Sequence, residues 1–150
     1  CLLNIYMITK FYINFLIMTI VGILFNPMNV LAFRLNDLYL SLTLFYGGLL
    51  MASNMIWSHE LIHFFTMGHL NLKMFLFGVF LSIGITIFLL RKQFLVNDRQ
   101  WLKRMISHHS TALTTSHNIY KKSKNPKIKK LAKEIINTQE YEISLMKSML

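Results

Sequence analysis

Three apolar runs occupy residues 1–90, whereas residues 91–150 alternate apolar with charged positions. The run at 38–57 (LYLSLTLFYGGLLMASNMIW) has twenty residues and no charge. At a rise of ~1.5 Å per residue this crosses ~30 Å of hydrocarbon. The run at 74–90 (MFLFGVFLSIGITIFLL) has seventeen residues and is bounded by Lys73 and Arg91. The run at 11–25 (FYINFLIMTIVGILF) follows Lys10, stops at Asn26-Pro27 and is the shortest. Each predicts a helix, and together they predict three membrane spans. A buried soluble helix and a cleaved signal peptide are rival readings of the first run. No small-residue cleavage site follows it, which favours a retained helix. The sequence opens at Cys1, with Met7 as an alternative start.

Beyond Arg91 the period changes. Asn97-Asp98 suit an N-cap, and residues 99–120 place Trp101, Leu102, Met105, Ile106, His109, Ala112 and Leu113 at three-and-four spacing. That pattern predicts an amphipathic helix. It ends at KKSKNPK, where Asn125 suits a cap and Pro126 the first position of a second helix. There Ile128, Leu131, Ile135, Thr138/Gln139, Glu142, Leu145/Met146 and Met149 predict one stripe. The predicted fold is all-α: about three transmembrane helices (1–92, an anchor) followed by an antiparallel helical hairpin (93–150). A hairpin this small buries too little to stand alone. A homo-oligomer or membership in a larger membrane assembly is the physical expectation.

Charge follows the same division. Residues 1–90 hold Lys10, Arg34, Asp37, Glu60 and Lys73, a net of +1, and residues 91–150 supply +9 of the total +10. A chain 54% hydrophobic is too apolar for a disordered basic tail. Arg91, Lys92, Arg99, Lys103 and Arg104 crowd the end of the third run. With three spans the termini fall on opposite sides, and the positive-inside rule puts the C-terminal half in the cytoplasm or its equivalent. Lys121, Lys122, Lys124, Lys127, Lys129, Lys130 and Lys133 ring the predicted turn without an acid among them. A solvated turn is the ordinary reading. Contact with anionic lipid headgroups, worth about 1 kcal/mol per basic residue, is the functional one. Nucleic acid is not expected, since Tyr120 is the one flanking aromatic and no base-reading motif appears. Lys, Asn, Ile and Phe usage points to an AT-rich genome: an organelle, a symbiont or a large DNA virus. A virion or organelle membrane is the corresponding location. Cys1 stands alone, so there is no internal disulfide and no cysteine metal cluster.

Three constellations bear on chemistry. Met105, His108, His109 and His117 lie on the first hairpin helix, and Gln139, Glu142 and Met146 on the second. Antiparallel folding brings them within about a helical turn of one another. Imidazole with thioether suits copper, and imidazole with carboxylate suits zinc or iron. Packing methionines and capping polar groups give the ordinary reading. His59-Glu60-Leu61-Ile62-His63 is an HExxH string with His69 beyond it, the pattern of a zinc protease. Thr66 stands where a three-histidine protease needs Gly, and there is little room for a substrate-binding sheet. Met51, Met55, His59, His63 and Met67 recur every four residues, as soft ligands passing Cu(I) along a span would. A straight helix drifts ~40° per such step, so they cannot all share one face.

A family resemblance runs through the first constellation. WLKRMISHHSTALTTS (101–116) and LAKEIINTQEYEISLMKSML (131–150) resemble the domain of unknown function 305 family. Met105, Ile106, His108, His109 and Ala112 match its M-I-P-H-H-x-x-A pattern. Ala132, Ile135, Ile136, Gln139, Glu142, Ile143 and Met146 match its second motif. Arg91-Lys92-Gln93 to Val96-Asn97-Asp98 resembles the junction of the membrane-anchored branch. The resemblance implies a ferritin-like bundle and, in some members, copper held by His and Met. Ser107 replaces the usual Pro, and Thr111 and Thr115 replace Met, so the soft-ligand set is depleted.

The first expectation is a non-enzymatic membrane protein whose helical domain binds a transition metal for copper homeostasis or storage. His108, His109, Met105, Glu142 and Met146 are the ligand candidates, with His59 and His63 behind them. The alternative is a structural subunit of a membrane complex or virion layer. An HExxH metalloprotease is the third reading.

Overall fold

A computed structural model describes the backbone of residues 2–150 and the side chains from residue 9 onward. The fold is all-α, with no strand among the described residues. Its helices are α1 (Leu2–Leu24), α2 (Pro27–Val30), α3 (Leu42–Met67), α4 (Leu72–Gly84), α5 (Asp98–Lys122) and α6 (Pro126–Ser148). A 3-10 turn spans Leu35–Asp37, and α4 continues into a π-helical stretch, Ile85–Arg91. The chain forms two compact units. One joins Cys1–Asn26 to Thr43–Leu95, and the other joins Pro27–Leu42 to Val96–Leu150.

Among the described residues two helical stretches are long and apolar enough to cross a membrane, Thr9–Val30, whose residues up to Asn26 belong to the first unit, and Leu72–Arg91, which lies within it. This corrects the expectation of three spans. The run at 38–57 does not qualify for two physical reasons. Helix α3 begins only at Leu42, leaving Leu38, Tyr39, Leu40 and Ser41 outside it. Its middle then carries Ser53, Asn54, Ser58, His59 and Glu60, which lower its mean hydropathy although only Glu60 is an acid. The opposite placement of the termini, which depended on three crossings, falls with it.

Small residues bring these helices together. A Cβ on Gly48 of α3 would lie 2.7 Å from the Thr19 carbonyl oxygen of α1, and one on Gly22 would lie 3.0 Å from the Gly48 Cα. A Cβ on Gly78 of α4 would meet the Trp57 backbone nitrogen at 2.8 Å. The hydroxyl of Ser82 donates to that of Ser53 at 2.9 Å, both side chains being buried. Close backbone contact at glycines and hydroxyl bonds between apolar helices are how helices associate in lipid. The outer faces expose Leu16, Ile20, Phe77, Phe80 and Phe88. Only 11% and 17% of the two apolar windows is buried, whereas the core helix of a soluble protein would be mostly buried.

The π-helical end leads into a tight corner. Gln93 and Leu95 adopt positive φ (49° and 55°), a region costly for residues with a Cβ. Two contacts from α3 hold this corner. Thr43 donates to the Gln93 amide oxygen at 3.1 Å, and the Tyr46 hydroxyl donates to the Phe94 carbonyl at 2.7 Å.

In the second unit α5 and α6 pack along their lengths around Leu102, Ile106, Leu113, Ile136, Ile143 and Met146. Asn97 caps α5 by accepting from the Gln100 N–H, and Asn125 caps α6 with Pro126 in its first turn. The expected α6 stripe is displaced by one position. Ala132, Ile136, Ile143 and Met146 are buried, whereas Ile128, Leu131, Leu145 and Met149 are exposed. Both sets follow a four-and-three spacing, and α5 packs against the set that begins with a small residue.

Candidate functional site

The chemistry of the second unit begins with serines and threonines along one side of α5. Hydroxyls inside a helix ordinarily return to their own backbone. Here several reach the Pro27–Leu42 segment instead. The Ser107 hydroxyl donates to the Asp37 carbonyl at 2.9 Å and accepts from the Tyr39 N–H at 3.2 Å. The Ser110 hydroxyl donates to Asp37 Oδ2 at 2.8 Å and accepts from the Phe33 N–H at 2.9 Å. Thr111 donates to the Met28 carbonyl, and the Gln100 side chain accepts from the Leu42 N–H.

Asp37 is the centre of this clasp. Its side chain is fully buried, and its second oxygen accepts from the Lys147 ammonium of α6. A buried carboxylate persists only when paired and hydrogen-bonded, and Asp37 has both kinds of partner. Arg34 meets Glu140 at 2.8 Å in a more exposed pair. Phe33 stacks on His117 at 4.8 Å with the rings 10° apart. His117 Nε2 and Thr114 Oγ1 are buried with no hydrogen-bond partner among the described residues.

The structure brings His109 and Glu142 together: Nε2 lies 2.9 Å from Oε2. His109 Nδ1 lies 2.8 Å from the Met105 carbonyl, which can only accept, so Nδ1 carries a hydrogen. A proton or metal ion shared with Glu142 must therefore sit at Nε2. Gln139 also donates to Glu142, at 3.5 Å. The other expected ligands do not converge on this pair. His108 is exposed, with its ring 6.0 Å from that of His109 and turned 79° to it. Desolvation of the covered part of its ring lowers the His108 pKa below the usual imidazole value, with smaller contributions from the Arg104 and His109 charges. Met146 is buried in the apolar core, and Met105 packs against it.

The donor set does not fit copper as arranged, because its thioethers are engaged in packing. The pair that remains is imidazole with carboxylate, which suits zinc or iron. No group of three or more His, Cys, Asp or Glu that could hold a metal occurs among the described residues.

The HExxH string lies at the end of α3, where its side chains serve the turn. Glu60 accepts from the Asn71 N–H at 3.3 Å, and His63 Nδ1 donates to the His69 carbonyl at 2.9 Å. The seven turn lysines have one carboxylate neighbour among them, Glu134, 4.0 Å from Lys130. Lys129 sits over the Tyr120 ring at 5.4 Å.

Sequence reasoning passed over Asp37, Ser110 and Lys147. One signal pointed there: Asp37 is one of only two acids before residue 91, set in an apolar stretch.

These features define an α-helical protein with membrane-length apolar helices and a helix pair carrying a His-His motif. The family model described as "Domain of unknown function (DUF305)" matches residues 90–150. An uncharacterized protein of Acanthamoeba polyphaga mimivirus is 36% identical over 126 residues, covering 83% of this chain and 81% of the relative. The chain belongs to the domain of unknown function 305 family. No solved structure matches it.

Proposed function

We propose that this chain is a membrane-anchored, non-catalytic structural protein whose α5–α6 hairpin is a rigid docking module. One observation carries the reading: Gln100, Ser107, Ser110 and Thr111 of α5 and Glu140 and Lys147 of α6 are all bonded to the Pro27–Leu42 segment. Asp37, Ser107, Ser110, Glu140 and Lys147 are bonded to one another or to that segment. Such a network rigidifies a surface. The hairpin resembles half of a ferritin-like bundle, and its exposed Leu131, Leu145 and Met149 leave apolar surface for a second copy or a partner subunit.

The anchor reading is supported by the exposed apolar faces of α1 and α4. The cluster Arg91, Lys92, Arg99, Lys103 and Arg104 beside the second apolar helix favours the cytoplasmic or equivalent side for the hairpin, by the positive-inside rule. The mimivirus relative favours a large DNA virus among the sources that composition allows. Lys127, Lys129 and Lys130 at the start of α6 are set against its dipole, since the first turn has no acid, whereas Lys121 and Lys122 in the last turn of α5 are aligned with theirs. An external anion compensates for that placement, and anionic lipid headgroups supply it.

Metal analysis of the purified full-length protein tests this reading. A metal-free protein that retains its assembly supports it. Stoichiometric metal lost in His109→Ala overturns it in favour of a second reading, zinc or iron at His109 and Glu142. The fixed ring orientation of His109 favours that second reading.

A further inference from the structure

The first unit contains a cavity of about 410 Å³, lined by residues of α1, α3 and α4. That volume falls within the ~300–1,000 Å³ of small-molecule sites. Phe11, Phe15, Ala52, Met55, Ile56 and Met74 supply the apolar lining. Lys10, Asn14, His59 and Glu60 supply the polar lining. Glu60 has one oxygen engaged by the Asn71 N–H. The side chains of Lys10, Asn14 and His59 are exposed and make no hydrogen bond or ion pair among the described residues, so an ammonium, an amide and an imidazole are available beside the apolar lining.

We propose that this cavity binds an amphiphile with one apolar chain and an anionic head. The chain lies against Phe11, Phe15, Met55 and Met74, and the head lies at Lys10 and His59. Lysine supplies a point charge and His59 a ring N–H, the usual combination for an oxyanion. A free fatty acid and one chain of an anionic phospholipid share this chemistry. The inference concerns the cavity alone and holds whether or not the hairpin acts as a docking module.

Photo-crosslinking tests it on the full chain in nanodiscs of neutral phosphatidylcholine. The probes are a diazirine fatty acid, its alcohol of equal chain length and a diazirine phosphatidic acid, with labelled residues mapped by mass spectrometry. The fatty acid is expected to label Phe15 and Met55 at least ten-fold more than the alcohol does. Lys10→Gln combined with His59→Gln should remove that preference and leave labelling of the exposed Phe80 unchanged. The unchanged Phe80 signal reports that the helices remain folded. Preferential labelling by phosphatidic acid assigns the same site to a membrane lipid rather than a free acid. Equal labelling of the cavity by acid and alcohol overturns the proposal. So does a tightly bound Cu(I) ion, lost in His59→Gln, that blocks labelling.

Discussion

The two units solve opposite burial problems with similar helices. The first hides serines and glycines and exposes its large apolar side chains. Ser53 and Ser82 are buried together, while Phe77 and Phe80 face outward. The second hides Ile106 and Leu113 completely and turns its lysines outward. Apolar surface has no cost against lipid tails, so helices there associate through close packing and hydrogen bonds. In water the same apolar area drives burial, at about 25 cal/mol per Å². The difference teaches that what a unit buries, beyond how apolar it is, carries the proposal that the first unit meets lipid and the second water.

The largest expected effect strikes the second unit. Asp37→Ala leaves Lys147 without its buried partner and removes the acceptor for Ser110. Breaking such a pair costs about 3–5 kcal/mol, with the lower end expected because Lys147 is 32% exposed and can reach water. Chemical denaturation should show the loss, and hydrogen exchange should place it in α5 and residues 27–42. Loss of protection in α1 and α4 instead would break the comparison.

Gly48→Val strikes the first unit. The added atoms meet Ile23 and the Thr19 carbonyl at 2.7 Å, and the carbonyl is backbone. Forced separation of α1 from α3 should cost about 1–3 kcal/mol. Cross-linking between the two helices should fall while α5 and α6 keep their hydrogen-exchange protection. Ser82→Ala is milder, at about 0.6 kcal/mol, the average for a hydrogen bond between membrane helices. A double-mutant cycle with Ser53→Ala should recover most of that energy as coupling.

The smallest effect is a pH dependence. Desolvation of the covered part of its ring, aided by the Arg104 and His109 charges, lowers the His108 pKa in the fold. As pH falls below the unfolded value near 6.5, the unfolded chain takes up the proton first. The fold therefore loses stability through that window and levels off once folded His108 is protonated. His108→Gln should flatten the acid side of the stability curve slightly. A steeper acid loss in the variant would contradict this.

Much of this was legible in the sequence, because caps and periodicity are local. Asn97, Asn125 and Pro126 marked their helix starts correctly. The 74–90 run found its span almost to the residue. The α6 face was not legible, since two adjacent stripes have the same spacing and only the partner helix chooses between them. The middle span was misjudged by counting charges, whereas Ser53, Asn54 and His59 also oppose insertion. His109 and Glu142 were found because motif and antiparallel geometry agree. Asp37 was missed because its partners lie 73 and 110 residues away. No local pattern announces a contact of that range. Ser107 and Thr111, read as departures from the family's pattern, prove to be ties for the residue 27–42 segment.

Accessibility of nitroxide labels in bilayers tests the central contrast most directly. Phe80 of α4 and Tyr141 of α6 are almost equally exposed, at 66% and 68%. If α4 is a membrane anchor, the two side chains meet different solvents. In a Cys1→Ser background, a label at Phe80→Cys should be relaxed by oxygen and shielded from a water-soluble nickel chelate. A label at Tyr141→Cys should show the reverse. Equal access of the nickel chelate to both positions would contradict the account, since the apolar face of α4 would then meet water.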